Sequence, residues 1–423
     1  LLHIHKHRKR RMSFRGPAEA RFVQRLFQNY YEHTYANPYR PESLEKREFG
    51  YTPFERKIMV RHLSFKTFDE LRKTLVREAP LHVYRSAALY QYPQAPMEEK
   101  GWLAAELIFD IDADHLETSC RRFHDYFVCS GCGSVYSEQA ASCKSCGSAL
   151  AEINMVCNNC LGQAKREMRK LLDFLMEDFG LSASLMTISF SGNRGYHLAV
   201  AGEWVMGLDR AARQEVVEYI SASHLDVRFY GLSSTLGTGD GPAYGDRGWA
   251  GRLARGCRDF LNRLAADDEE ARSKASRLLK TKDVVYMAEI AKHWVEKPKW
   301  HLLKTSRSSP QLQSLLKIVL EENTSHVDTV VSTDVHRLLR LTDTLNGKTG
   351  LSACQVHNLD DFNPLADAVV LSDEPVEVQL LPTPAFELGG LNLGPYKAGE
   401  RVKVPAFAAA YLMCRGLASL VKH

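Results

Sequence analysis

Along this chain the apolar positions change period several times, and each change marks an element. Residues 18–35, AEARFVQRLFQNYYEHTY, repeat apolar groups at Phe22, Leu26 and Tyr30, the spacing of one helix face. Pro38 and Pro41 end it. Segment 47–65 reads as short β structure carrying Arg61 and His62, and 81–92 and 102–112 read as strands. AKREMRKLLDFLMEDFG is amphipathic: Met168, Leu171, Leu172, Leu175 and Phe179 share a face, and Gly180 is the expected stop. SLMTISF (184–190) and YHLAVA (196–201) alternate as strands around the turn SGNRG. From 205 to 300 the pattern is helical and polar, interrupted by a glycine-rich loop, 231–252, with little expected secondary structure. TSHVDTVVSTDVHRLLRL (324–341) reads as strand then helix, and DTLNGKTG as a loop. Short strands follow over 376–404, then a final helix in AFAAAYLMCRGLASLV. Mixed strands and helices around sheets make this an α+β chain. It divides into a basic tail (1–12), a first core segment (13–204) with an insertion at 120–160, a mainly helical insertion (205–300) and a second core segment (301–423).

Composition narrows the class only slightly. The chain has 423 residues, 44% hydrophobic and 25% charged, with formal net charge +4, which suits a large soluble core. No apolar run approaches a membrane span, and no secretory signal is visible. LLHIHKHRKRRM is expected to be a solvated tail or a start-site artefact ahead of Met12. Of ten cysteines, seven fall between Cys120 and Cys160. Cys257, Cys354 and Cys414 stand alone and read as buried packing residues.

The candidate chemistry begins at ELIFDIDADH (106–115). Strand alternation projects Asp110 and Asp112 to one side, with Asp114 following. Such neighbours raise each other's pKa unless a cation lies between them, so this is a divalent-metal candidate. Taken alone, it is equally an edge strand running into an acidic turn. C-S-G-C-G at Cys129 and Cys132 and C-K-S-C-G at Cys143 and Cys146 are two knuckles ten residues apart. Four thiolates so spaced suit a structural, tetrahedral zinc. Cys120, His124, Cys157 and Cys160 form a second candidate site of Cys3His type.

The turn SGNRGYH collects Ser191, glycine N–H groups, Arg194 and His197, donors suited to a phosphate chain. A third segment carries Arg337, Arg340 and Lys348 with Asp328, Asp334 and Asp343. HVDTVVS, read as β structure, would place Asp328 beside the aspartate strand. Asp334, ahead of VHRLLR, reads as a helix-start residue, and Asp343 as a solvated loop acid. Acidic strand, phosphate turn and third acid with basic residues outline a two-metal nucleotidyl-transfer site.

ELIFDIDADH, SFSGNRGYHLAV and VDTVVSTDVHRLLRLTDTLNGKTG, in that order with a zinc insertion after the first, resemble the catalytic small subunit of archaeal DNA primase, in the archaeo-eukaryotic primase superfamily. VPAFAAAYLMCRGLA resembles that family's C-terminus, so the likeness spans roughly 45–416. The resemblance implies a mixed-sheet primase catalytic core with an inserted zinc module and a small helical subdomain. It implies primer synthesis on single-stranded DNA, with RNA and also DNA as products, from NTPs and dNTPs. Asp110, Asp112 and Asp328 would hold two Mg2+ or Mn2+ ions. Ser191, Arg194, His197, Arg340, Lys348 and Arg61, with His62, would hold the triphosphate. The implied partner is a primase large subunit carrying an iron–sulfur domain, for which no spare cysteine cluster remains here, and the implied location is cytoplasmic. Thr342 and Asn346 depart from the family's Pro and His, the latter a nucleotide contact. Two other readings fit parts of the pattern: a repair or end-joining primase-polymerase of the same superfamily, and a non-enzymatic zinc-ribbon DNA-binding protein.

Overall fold

A computed structural model describes residues 14–421 apart from 36–37, 56–57, 117, 130, 233–240 and 304–309. The expected basic tail and the centre of the glycine-rich loop therefore lie outside the described residues. The architecture is α+β, with several small antiparallel sheets among helices. Two compact units emerge. One comprises the described parts of Leu1–Arg166, Ser184–Arg213 and Asp328–His423; the other comprises Glu167–Ala183 and the described parts of Gln214–Val327.

The first unit is built on two sheets. In one, Met186–Phe190, Gly195–Val200 and Leu107–Asp112 lie side by side, all antiparallel. In the other the order is Leu338–Arg340, His82–Ser86, Phe49–Thr52, Val60–Leu63. Alternation sorts the aspartate strand: Leu107, Phe109 and Ile111 face an apolar layer with Phe190, Tyr196 and Leu198, all buried. On the opposite face Ile108 joins Ala87, Ala199, Val331 and Leu339 in one buried cluster. That cluster governs the site. It seats Val331, from the short helix Thr329–Thr333, and Leu339, from strand Leu338–Arg340, beside the strand that ends in Asp110 and Asp112.

Segment 324–341 is therefore the reverse of its sequence reading, helix first and strand second. The Ser332 and Thr333 hydroxyls donate back to the carbonyls of Asp328 and Thr329, at 3.2 and 2.9 Å, which suits one helical turn. Leu338 and Leu339 then pair with Ser86 and Arg85. Three further differences are smaller. The buried stripe of helix Pro17–Asn29 is Val23 and Phe27, followed by Tyr31, one position on from Phe22 and Leu26. The end of the glycine-rich loop is already helix, Gly248–Ala265. The last helix stops at Cys414, and Ala418–Leu420 forms a strand.

The second unit is helical, with Gly248–Ala265, Glu269–Leu278, Thr281–Ile290 and Pro310–Asn323 around buried Trp249, Leu253, Phe260, Trp294 and Leu315. Among the described residues no helix is long and apolar enough to cross a membrane.

Candidate active site and cysteine clusters

The sheet register brings the first two motifs together. Asp110 lies opposite His197 and Asp112 opposite Gly195. A Cβ at Gly195 would stand 2.2 Å from the Ile111 carbonyl oxygen, so only glycine lets the turn lie against Asp112. His197 Nε2 is 3.6 Å from Asp110 Oδ1. Burial pulls the His197 pKa down, Asp110 opposes this, and Arg340 and Arg337 add to it, so the ring is a neutral donor within reach of both arginines. Asp112 Oδ1 accepts the Asp114 N–H at 3.0 Å. Burial raises the Asp112 pKa; the Asp114 N–H opposes the rise, and the charges of Asp114 and Asp110 add to it.

Asp328 reaches the same place by a route different from the one its sequence suggested. It is the N-cap of Thr329–Thr333, its carboxylate accepting the N–H groups of Val330 and Val331 at 2.9 and 3.2 Å. Its own N–H donates to the Asp110 carbonyl at 3.0 Å. Asp334 ends that helix instead of starting one, accepting the His336 N–H at 2.9 Å. Asp343 is not a solvated loop acid: it is half-buried, and its Oδ2 accepts the Tyr39 N–H at 2.7 Å.

Asp110, Asp112 and Asp328 offer half-buried oxygens at the edge of one sheet, a donor set suited to Mg2+ or Mn2+. Their oxygens do not all lie within 4.8 Å of one another. Among the described residues only the two cysteine sets do, with one ligand atom per residue. In the first set, Cys129 and Cys146 sulfurs are 3.4 Å apart and Cys132 and Cys143 sulfurs 3.5 Å. Gly133 and Gly147, both at φ 73°, return N–H groups to the Cys129 and Cys143 carbonyls. In the second, Cys120 and Cys160 sulfurs are 3.3 Å apart, and His124 Nε2 is 3.3 Å from Cys160 Sγ. Both fit tetrahedral zinc. Cys257 and Cys414 are buried as expected, whereas Cys354 is half-buried.

Ser191 Oγ accepts the N–H groups of Asn193 and Gly195 at 3.3 and 3.2 Å. Asn346 Nδ2 donates to the Ser191 carbonyl at 2.8 Å, so the departure at 346 joins the third segment to the turn. Arg340 Nη1 lies 3.1 Å from His82 Nδ1, with its guanidinium over Tyr84, 5.2 Å from the ring centre. Sequence reading missed His82, which carries no motif and is recognised only by its partners. Burial, then Arg340 and Lys348, push its pKa well down. Lys348 itself is exposed.

Two expected phosphate ligands are placed otherwise. Arg194 is 3% exposed, its guanidinium held by Asp114, by Asp125 at 2.9 Å and by the Met155 carbonyl. Arg61 forks onto buried Glu48 at 3.0 and 3.3 Å, and His62 donates its N–H to the same carboxylate. Neither guanidinium turns toward the aspartates, because each answers a carboxylate that burial leaves in need of a cation.

A family profile described as DNA primase small subunit matches residues 109–358. The DNA primase small subunit PriS of Cenarchaeum symbiosum is 36% identical over 92% of this chain and 95% of its own length. That of Methanococcoides burtonii is 33% identical over 94% and 97%, and that of Archaeoglobus fulgidus 30% identical over 94% and 98%.

Proposed function

The chain belongs to the DNA primase small subunit family, and from that premise we propose that it starts nucleotide chains on single-stranded DNA as the catalytic subunit of a replicative primase. The observation that carries the reading is the meeting of Asp110, Asp112 and Asp328 at one sheet edge opposite His197. Those three carboxylates would hold Mg2+ or Mn2+. When bound, the ions would make the attacking 3′-hydroxyl more acidic and balance charge on the departing pyrophosphate.

The chain's own groups orient and bind. The Asp114 N–H fixes the Asp112 carboxylate, and the cap bonds fix that of Asp328. His197, neutral through burial, donates from Nε2 to a phosphate oxygen. The Ser191 hydroxyl accepts two turn N–H groups and has its proton free for a second phosphate oxygen. Arg340 and Lys348 supply the cations. Arg194 and Arg61 brace the walls of this site. The unit with the sheets serves as the primase catalytic core, the zinc sites are structural, and a large subunit completes the enzyme.

The test is synthesis from labelled NTPs or dNTPs on unprimed single-stranded DNA. Product is expected from wild type and none from Asp328→Asn, even at high Mn2+. Asp334→Asn should keep most activity, because Asn also accepts the His336 N–H. Product only when a primer is supplied would instead favour a template-extending polymerase. Activity in folded Asp328→Asn with a dead Asp334→Asn would redraw the metal site.

A further inference from the structure

The Cys120–His124–Cys157–Cys160 cluster is joined to the catalytic aspartates by an unbroken chain of polar contacts. His124 turns Nε2 to the cysteine sulfurs and sets Nδ1 2.8 Å from Asp125 Oδ1. A histidine ligand that gives its second nitrogen's proton to a carboxylate is held in one ring orientation. The same Asp125 oxygen accepts from Arg194 Nη2 at 2.9 Å. Arg194 Nη1 reaches Asp114, and the Asp114 N–H is the donor that fixes Asp112. Backbone bonds run beside this line: Ala113 N–H to the Arg194 carbonyl at 3.0 Å, and Met155 N–H to the His124 carbonyl at 3.3 Å. Arg121 donates to the Ala113 carbonyl at 2.6 Å. Arg194 is thus inserted between two acids and a carbonyl contributed by three separate stretches of chain.

We propose that Asp125 and Arg194 are positioning residues that set the geometry of the catalytic metal site from the root of the zinc module, so that the Cys3His zinc site acts as an anchor for Asp112. A buried guanidinium with planar, fixed donors transmits orientation better than a flexible ammonium. With Asp125 neutral, Arg194 loses one of its two balancing charges, and Asp114 alone cannot hold both the guanidinium and the turn that presents Asp112. Outer partners of metal-holding groups commonly change metal affinity by about 10–100-fold.

The inference rests on the two-metal reading above, and its test separates the two. Mn2+ binding is titrated without substrate by the electron paramagnetic resonance signal of free Mn2+, with zinc content and thermal melting measured on the same samples. Wild type should bind Mn2+ and Asp112→Asn should not; failure of that pair would overturn the metal reading. Asp125→Asn should keep two Zn and its fold but bind Mn2+ about ten-fold more weakly. Arg194→Lys should do the same, and serves if Asp125→Asn fails to fold. The Cys143→Ser, Cys146→Ser double variant should lose one Zn and bind Mn2+ as wild type does. Unchanged Mn2+ affinity in a folded Asp125→Asn or Arg194→Lys, or equal weakening by the Cys143→Ser, Cys146→Ser pair, would overturn the anchor.

Discussion

The two cysteine clusters share their chemistry but differ in what they hold. The tip cluster, Cys129, Cys132, Cys143 and Cys146, has two exposed members, Cys132 and Cys146. Its recorded partners are near in sequence: Gly131, Ser134, Tyr136 and Ser145. It closes its own small loop around the sheet of Asp125–Cys129, Val135–Tyr136 and Leu150–Asn154. The root cluster joins residues up to 40 positions apart, with Cys120, His124 and Cys160 buried, and its histidine leads through Asp125 to the catalytic turn. Equal ligand sets therefore do unequal work. A site whose partners are all local stabilises only itself, whereas one whose partners come from distant segments fixes those segments in relation to each other.

The largest effect expected bears on the end of the root line. Asp112→Asn should lower primer synthesis by at least ~10^3-fold, the scale of losing a group that balances transition-state charge, while both Zn remain. Synthesis at a tenth of wild type would remove Asp112 from the metal site. Next, Cys157→Ser with Cys160→Ser should remove one Zn and lower synthesis by about 10–100-fold. Cys143→Ser with Cys146→Ser should remove the other Zn and leave synthesis within about two-fold. Equal losses in the two double variants, read by elemental analysis and the primer assay together, would break the comparison.

The smallest effect is electrostatic. Asp112 titrates above its ordinary value because burial, then the charges of Asp114 and Asp110, disfavour the carboxylate against the opposing Asp114 N–H. Its contribution to stability is fully present below the unfolded value and is lost as pH rises through the folded one. Metal-free Asp112→Asn should therefore melt higher than wild type at pH 7. The gap should close as pH falls below the ordinary value of 3.8. A pH-independent gap would show that the aspartate strand carries no charge strain.

Local rules made much of this protein legible from its sequence alone. Strand alternation put Asp110 and Asp112 on one face, the C-x-x-C-G spacing located both knuckles, and 3.6-residue periodicity found Asn158–Asp173. The order of the three motifs pointed to the family. What the tertiary structure decided was which charge answers which. Arg194 looked like a phosphate ligand because its neighbours suit a phosphate turn, yet Asp114 lies 80 residues away in sequence and Asp125 lies 69 away. Asp328 and Asp334 exchanged cap roles because the apolar cluster with Ile108 seats Val331 as helix and Leu339 as strand. Five residues of helix carry too little propensity to declare themselves against a β-branched run such as VDTVV. A side chain's type and spacing are set by the sequence around it. Whether that side chain serves the substrate or a buried carboxylate depends on segments that only folding brings together.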